Sequence, residues 1–156
     1  MIKSSSLTLV GILLHANSAI ASCSVTGSLA GNWQFFSEGL DAMKGTIVEC
    51  TLSLTGNGAL LQGACRHRYY GAIKESFALS AGKLAVNSAC AVTGSFSYVL
   101  TGYKPRSGET TTPIETITIS TARMDKSQSA VAGIAWNRDE FYYSDLRDGT
   151  FTMVAY

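Results

Sequence analysis

The segment 46–68, TIVECTLSLTGNGALLQGACRHR, constrains this chain more than any other. Its centre, Asn57-Gly58, is the dipeptide that most readily takes positive φ at both central positions of a type I′ turn. With those two residues as the loop, Gly56 faces Ala59, Leu54 faces Leu61, Leu52 faces Gly63 and Cys50 faces Cys65. The turn is placed without reference to the cysteines, so their meeting is an independent test of the register. Before the turn, Val48, Cys50, Leu52 and Leu54 share one face, while Glu49, Thr51, Ser53 and Thr55 share the other. That is the period-two alternation of a strand with one dry and one wet side. The segment therefore reads as a β-hairpin pinned by a disulfide. In this register the cysteines form a hydrogen-bonded pair with Cα atoms about 5.5 Å apart, a span a disulfide accepts.

The disulfide reading demands an oxidising compartment, and the start of the chain agrees. Lys3 is its only early charge, residues 7–14 are an apolar run, and Ala19-Ile20-Ala21 forms a small-residue cleavage site. Residues 1–21 read as a signal peptide and residues 22–156 as one domain, secreted or periplasmic. Eight apolar residues fall short of the roughly 20 that span a bilayer. The alternative is a membrane-anchored lipoprotein, because Ile20-Ala21-Ser22-Cys23 resembles the motif that receives a lipid anchor at Cys23. Polar His15, Asn17 and Ser18 separate the apolar run from Cys23, and lipidation would leave three cysteines, an odd number for an exported chain. Simple secretion is the better reading. Given Cys50 with Cys65, the remaining pair is Cys23 with Cys90, each opening a similar hexapeptide, CSVTGS and CAVTGS.

Charge removes several partners. Without Lys3 the twelve basic residues become eleven, against eleven acidic ones, and no run of like charges exists. Nucleic-acid binding through counterion release wants a basic patch, and adsorption to anionic lipid wants the same.

Along the chain, residues 32–36 alternate with Trp33 and Phe35 on one face, and residues 75–79 set Phe77 with Leu79. Ala81-Gly82 reads as a turn, and residues 83–92 place Leu84 and Val86 together. Residues 95–103 form a clean strand carrying Phe96, Tyr98 and Leu100 on one side. A polar loop covers residues 104–112, and a Thr/Ile-rich strand covers residues 114–124 with Ile117 and Ile119 inward. Residues 130–136 are small and apolar on both faces, as in a strand covered or closely approached from each side. Asp148-Gly149 signals a second hairpin, pairing Arg147 with Thr150. No segment sustains a 3.6-residue period. The expected class is all-β: an antiparallel up-and-down β-barrel of eight to ten strands, with a β-sandwich as the alternative.

Gly31-Asn32-Trp33 resembles the Gly-x-Trp signature that opens calycin barrels, the lipocalins and avidins, and CSVTGSLAGNW is similar to an avidin start. The resemblance implies that Trp33 closes one barrel end. Leu29-Ala-Gly-Asn-Trp33, followed by a disulfide hairpin, also resembles small periplasmic inhibitors of bacterial metalloproteases. These are eight-stranded barrels that insert an N-terminal trunk into the protease cleft. A Cys23–Cys90 bond would tie that trunk down.

Groups able to carry chemistry are sparse. Once residues 1–21 are removed, His67 is the only histidine, so a histidine-based metal cage is unavailable. It lies between Arg66 and Arg68, where it reads as a strand-end residue half in solvent rather than a ligand contact. Asp139, Glu140, Asp145 and Asp148 gather carboxylates beside Phe141, Tyr142 and Tyr143, at spacings that match neither a calcium loop nor a hydrolase pair. They read as the wet residues of a loop or edge. No catalytic residue, metal or cofactor is expected. The functional expectation is an exported, non-enzymatic binding protein holding a small apolar ligand in the barrel mouth, lined by Trp33, Phe35, Phe77, Phe96, Tyr98 and Trp136. The alternative is a periplasmic inhibitor or interaction protein that presents its loops to a protease or another protein. The first requires an open interior; the second requires a filled core and an exposed aromatic or loop surface.

Overall fold

The computed structural model describes residues 23, 29–40, 46–102, 114–139 and 146–156. Its eight strands are β1 (Gly31–Glu38), β2 (Thr46–Leu54), β3 (Leu60–Tyr69), β4 (Ala72–Val86), β5 (Ala91–Leu100), β6 (Ile114–Met124), β7 (Ala130–Asp139) and β8 (Leu146–Ala155). Each pairs antiparallel with its neighbours in sequence, and β1 also pairs with β8, from Trp33↔Ala155 to Glu38↔Thr150. That last ladder closes the sheet into a barrel and overturns the sandwich alternative, which would leave two open sheets. Among the described residues, no helix is long and apolar enough to cross a membrane. The expected signal peptide (1–21), the polar loop 104–112, the aromatic residues 141–143, Glu140 and Asp145 lie outside the described residues.

Closure converts the alternation of each strand into packing. Phe35, Val48, Cys50, Leu52, Cys65, Phe96, Ile117, Ala135 and Met153 point inward and are buried. Phe35 stacks on Phe151 (ring centroids 5.1 Å apart) and meets Phe96 edge-on at 5.4 Å, so aromatic side chains fill the middle of the barrel.

The hairpin keeps its expected cysteine pairing by an unexpected route. Its loop has three residues, not two: Gly58 N–H donates to Thr55 O (2.9 Å), and Thr55 N–H donates to Ala59 O (2.9 Å). Gly58 alone takes positive φ, at 78°. This is a turn closed by a left-handed glycine rather than a type I′ loop. The longer loop shifts the register by one, and a bulge restores it: Leu54 pairs with Leu60, Ser53 with Gln62, and Cys50 with Cys65 as expected. Leu61 is the extra residue and is thrown outward, 66% exposed, instead of facing Leu54. The cysteine Cα atoms are 4.0 Å apart. That spacing belongs to a pair between hydrogen-bonded rungs rather than on one, as a bulge that changes which pairs exchange hydrogen bonds would produce.

Two glycine-based expectations fail for one reason. Asp148-Gly149 is not a turn: β8 runs through it, with Asp148 facing Trp136 and Gly149 facing Ala135. A Cβ on Gly149 would lie 2.3 Å from Glu38 O, so glycine is needed there for close backbone approach at the closure seam. Ala81-Gly82 likewise lies inside the long β4, where a Cβ on Gly82 would lie 2.6 Å from Phe96 Cβ. The expected strand 83–92 is instead divided by a turn, in which the Asn87 side chain accepts from Ala89 and Ala91 N–H (both 3.0 Å) and Cys90 has φ 63°. All four cysteines are bonded, Cys23 to Cys90 and Cys50 to Cys65.

Two outcomes test these features. Replacing Cys50 and Cys65 together with alanine should lower unfolding stability by about 3 kcal/mol or more, since the disulfide spans 15 residues; a urea titration showing no loss would remove the clasp from the account of stability. In the β6–β7 turn, Asp125 accepts hydrogen bonds from the Ser127 hydroxyl and from Ala130 and Ser129 N–H, which lower its pKa to about 2. A depressed carboxylate pKa stabilises the fold above its unfolded value of about 3.9, and that contribution is lost as pH falls toward 2. An NMR titration should therefore find the Asp125 carboxyl still ionised at pH 3, and Asp125→Asn should flatten the stability profile between about pH 4 and 2.

Candidate functional site

The two ends of the barrel are built differently. At one end Trp33 is buried, its Nε1–H donating to Leu29 O (3.0 Å), with Leu29 buried beside it. The β2–β3 turn folds over the same end, where Leu84 N–H donates to Gly58 O (3.0 Å). Buried Leu84, Val92, Val131 and Met153 complete a dry plug. Trp33 thus closes a barrel end, as the Gly-x-Trp resemblance implies.

Toward the other end, the inward positions of six strands turn polar. On β1 the series Trp33, Phe35 ends in Ser37; on β2, Cys50 and Val48 lead to Thr46. On β3, Cys65 leads to His67; on β5, Phe96 leads to Tyr98. On β6, Ile119 and Ile117 lead to Glu115, and on β7, Val131 and Ala135 lead to Asn137. Ser37, Thr46, His67, Tyr98 and Asn137 are all more than nine-tenths buried. Burial of so many polar groups demands hydrogen bonds.

Most of them find these bonds in one chain that crosses the barrel. Tyr98 O–H donates to Glu115 Oε2 at 2.6 Å, and Asn137 Nδ2 donates to the same oxygen at 2.8 Å and to Tyr98 Oη at 3.3 Å. His67 Nε2 lies 3.4 Å from Tyr98 Oη, and its Nδ1 lies 3.6 Å from Glu75 Oε2 on β4. Phe77 packs against this chain, 4.4 Å from the His67 ring and 4.9 Å from the Tyr98 ring. Among the described residues, the acceptor Asn137 Oδ1 and the hydroxyl Thr46 Oγ1 are buried without a hydrogen bond. The Asn137 amide cannot flip to relieve this, because its nitrogen is committed to a carboxylate.

Of the six expected lining residues, Trp33, Phe35, Phe77, Phe96 and Tyr98 point inward and are buried, with Phe35 packed on Phe96 and Phe77 on Tyr98. Trp136 does not join them. It pairs with Thr118 and Asp148 on the outer face, because Ala135 and Asn137 hold the inward positions of β7. His67 is also corrected, from half in solvent to 3% exposed. Arg68 is turned away from it and pairs with Glu49 at 2.7 Å. Glu115 and Asn137 were missed, although a visible signal marks both: a polar residue two places beyond a run of inward apolar ones. Near this rim the β3–β4 turn puts Tyr70 (φ 48°) and Gly71 (φ 80°) in left-handed conformations and leaves Tyr70 81% exposed, its ring 4.3 Å from that of Tyr69. Hydrogen bonding to Tyr70 pushes the Tyr69 phenol above its ordinary pKa.

No protein-family model, curated protein or solved structure matches the chain. The barrel and its polar end are therefore established by geometry alone.

Tyr98→Phe keeps the ring packing but removes a donor from Glu115 and an acceptor from Asn137. It should lower stability by about 1–3 kcal/mol in a urea titration, the usual result of stranding buried polar partners. A neutral result would show that the network is dispensable to the fold.

Proposed function

We propose that this is an exported, non-enzymatic binding protein that takes a small ligand bearing a hydrogen-bond donor at the polar end of its barrel. One observation carries the reading: Asn137 Oδ1 is buried, held as an acceptor by the commitment of its own nitrogen, and left without a donor. A stranded acceptor of this kind typically costs about 1–3 kcal/mol, which a bound donor would recover. Thr46 Oγ1 adds a second polar atom in the same condition. An eight-stranded barrel plugged at one end has its other end left for a ligand, which agrees with the calycin-like start of the chain. The apolar ligand expected from the aromatic residues has less support, since those side chains pack on one another. Export is supported by the cleavage pattern before Ser22 and by two disulfides, which suit an oxidising compartment. The non-enzymatic part of the reading rests on the few acid–base groups in the sequence, with His67 the one histidine after residue 21.

A second reading rests on Tyr70, exposed at the rim beside Tyr69 and accompanied by half-exposed Ile73. Exposed tyrosine is favoured at protein interfaces, so this tip suits a protein partner. Native mass spectrometry of protein purified from its own host separates the two. A reproducible small-molecule adduct, lost in a folded Asn137→Leu variant, is the expected result. A clean apo mass with a co-purifying polypeptide, released by Tyr70→Ala, would replace the first reading with the second.

A further inference from the structure

Outside the barrel, two shallow grooves of about 290 Å³ and 160 Å³ share Thr51 and Ala64 and run together along the outer face of β1, β2 and β3. The register sets their walls in three ranks: Asn32–Ser53–Gln62, Gln34–Thr51–Ala64 and Phe36–Glu49–Arg66. Small side chains at Thr51 and Ala64 make a low centre between longer ones. From Asn32 to Phe36 is four residues, about 14 Å at ~3.4 Å per residue, longer than a single sugar ring.

We infer that this outer trough binds a neutral oligosaccharide laid along the strands, independently of the polar end of the barrel. The chemistry of the walls selects the ligand. The side chains of Asn32, Gln34, Ser53 and Gln62 border the trough and make no side-chain hydrogen bond with the described residues. An amide offers donor and acceptor side by side, which matches adjacent hydroxyls that each donate and accept. Aromatic rings stand at both ends, Tyr156 (69% exposed) beside the first rank and Phe36 (38% exposed) in the third, where their faces can cover the C–H face of a sugar. Charge is sparse: Glu49 is paired with Arg68 at 2.7 Å, and Arg66 beside it leaves one net positive charge, confined to the third rank. The first two ranks carry no charged side chain, so most of the trough is matched to a neutral ligand. An extended peptide has no strand edge to add to, because β1, β2 and β3 each already pair on both sides. What the trough offers is side-chain hydrogen bonding, and sugars use that.

The test is a titration of ¹⁵N-labelled protein, comprising residues 22–156 with both disulfides formed, with cellohexaose, maltohexaose and chitohexaose, followed by NMR. With at least one of them the side-chain amide signals of Asn32, Gln34 and Gln62 should move and saturate, with Kd of about 1 mM or tighter, while the Asn137 amide stays still. The parent monosaccharide should bind at least about tenfold more weakly, as should the hexasaccharide to a Gln34→Ala/Gln62→Ala variant or to Tyr156→Ala. These positions are exposed, so each variant should keep the parent's circular dichroism. The inference is overturned if no hexasaccharide moves those signals at about 10 mM, if the variants bind like the parent, or if the shifts centre on Asn137.

Discussion

Everything in this molecule depends on the ladder between its first and last strands. Once β1 pairs with β8 as well as β2, no strand keeps an open edge, and each side chain must lie either inside or outside a closed wall. The seam demands close backbone contact, which is why glycine stands at position 149 against the Glu38 carbonyl. Inside, aromatic side chains reach across the middle: Phe35 touches both Phe96 and Phe151. The Cys50–Cys65 bond lies within this core and reinforces a hairpin that the ladder already holds on both flanks.

The same closed wall separates two environments along the barrel axis. Around Trp33 the interior is apolar and its one buried ring N–H is satisfied by Leu29 O. Around Tyr98 the interior holds a carboxylate, an amide, an imidazole and a phenol in one hydrogen-bonded chain. Polar groups in a low-dielectric setting strengthen one another when satisfied and are expensive when not. Tyr98 is the pivot, since it meets His67, Glu115 and Asn137 through a single oxygen. Within that chain the buried oxygen of Asn137 is left without a matching donor.

Much of the fold was legible residue by residue. Alternation marked the inward faces of β1, β2, β5 and β6, and the turn at Asn57-Gly58 led to the right cysteine partner. It did so although the loop is one residue longer than expected and the bulge at Leu61 compensates, because the inward positions of β2 and β3 had to end on the same side. Glycine was misread where it mattered most. Gly82 and Gly149 look like turn residues in a linear sequence, yet both serve close approach between strands, β4 to β5 at Gly82 and β8 to β1 at Gly149. The candidate site was less legible. Trp136 was assigned by residue type rather than by parity with Ala135, and Glu115 and Asn137 lie 22 residues apart on strands whose pairing supplies the contact.

By itself the sequence determined the class of the fold, the partners of its cysteines and the side of the wall to which most strand residues point. These are local quantities: a period of two, a turn preference and the short reach of a disulfide. Only the tertiary structure decided that eight strands close on themselves, that Trp33 and Tyr98 belong to opposite ends, and that the polar ends of several strands meet in one buried chain. Those outcomes depend on pairing between residues far apart in sequence, and a hydrogen bond such as Tyr98 to Glu115 exists only when closure brings both side chains into the same small volume away from water.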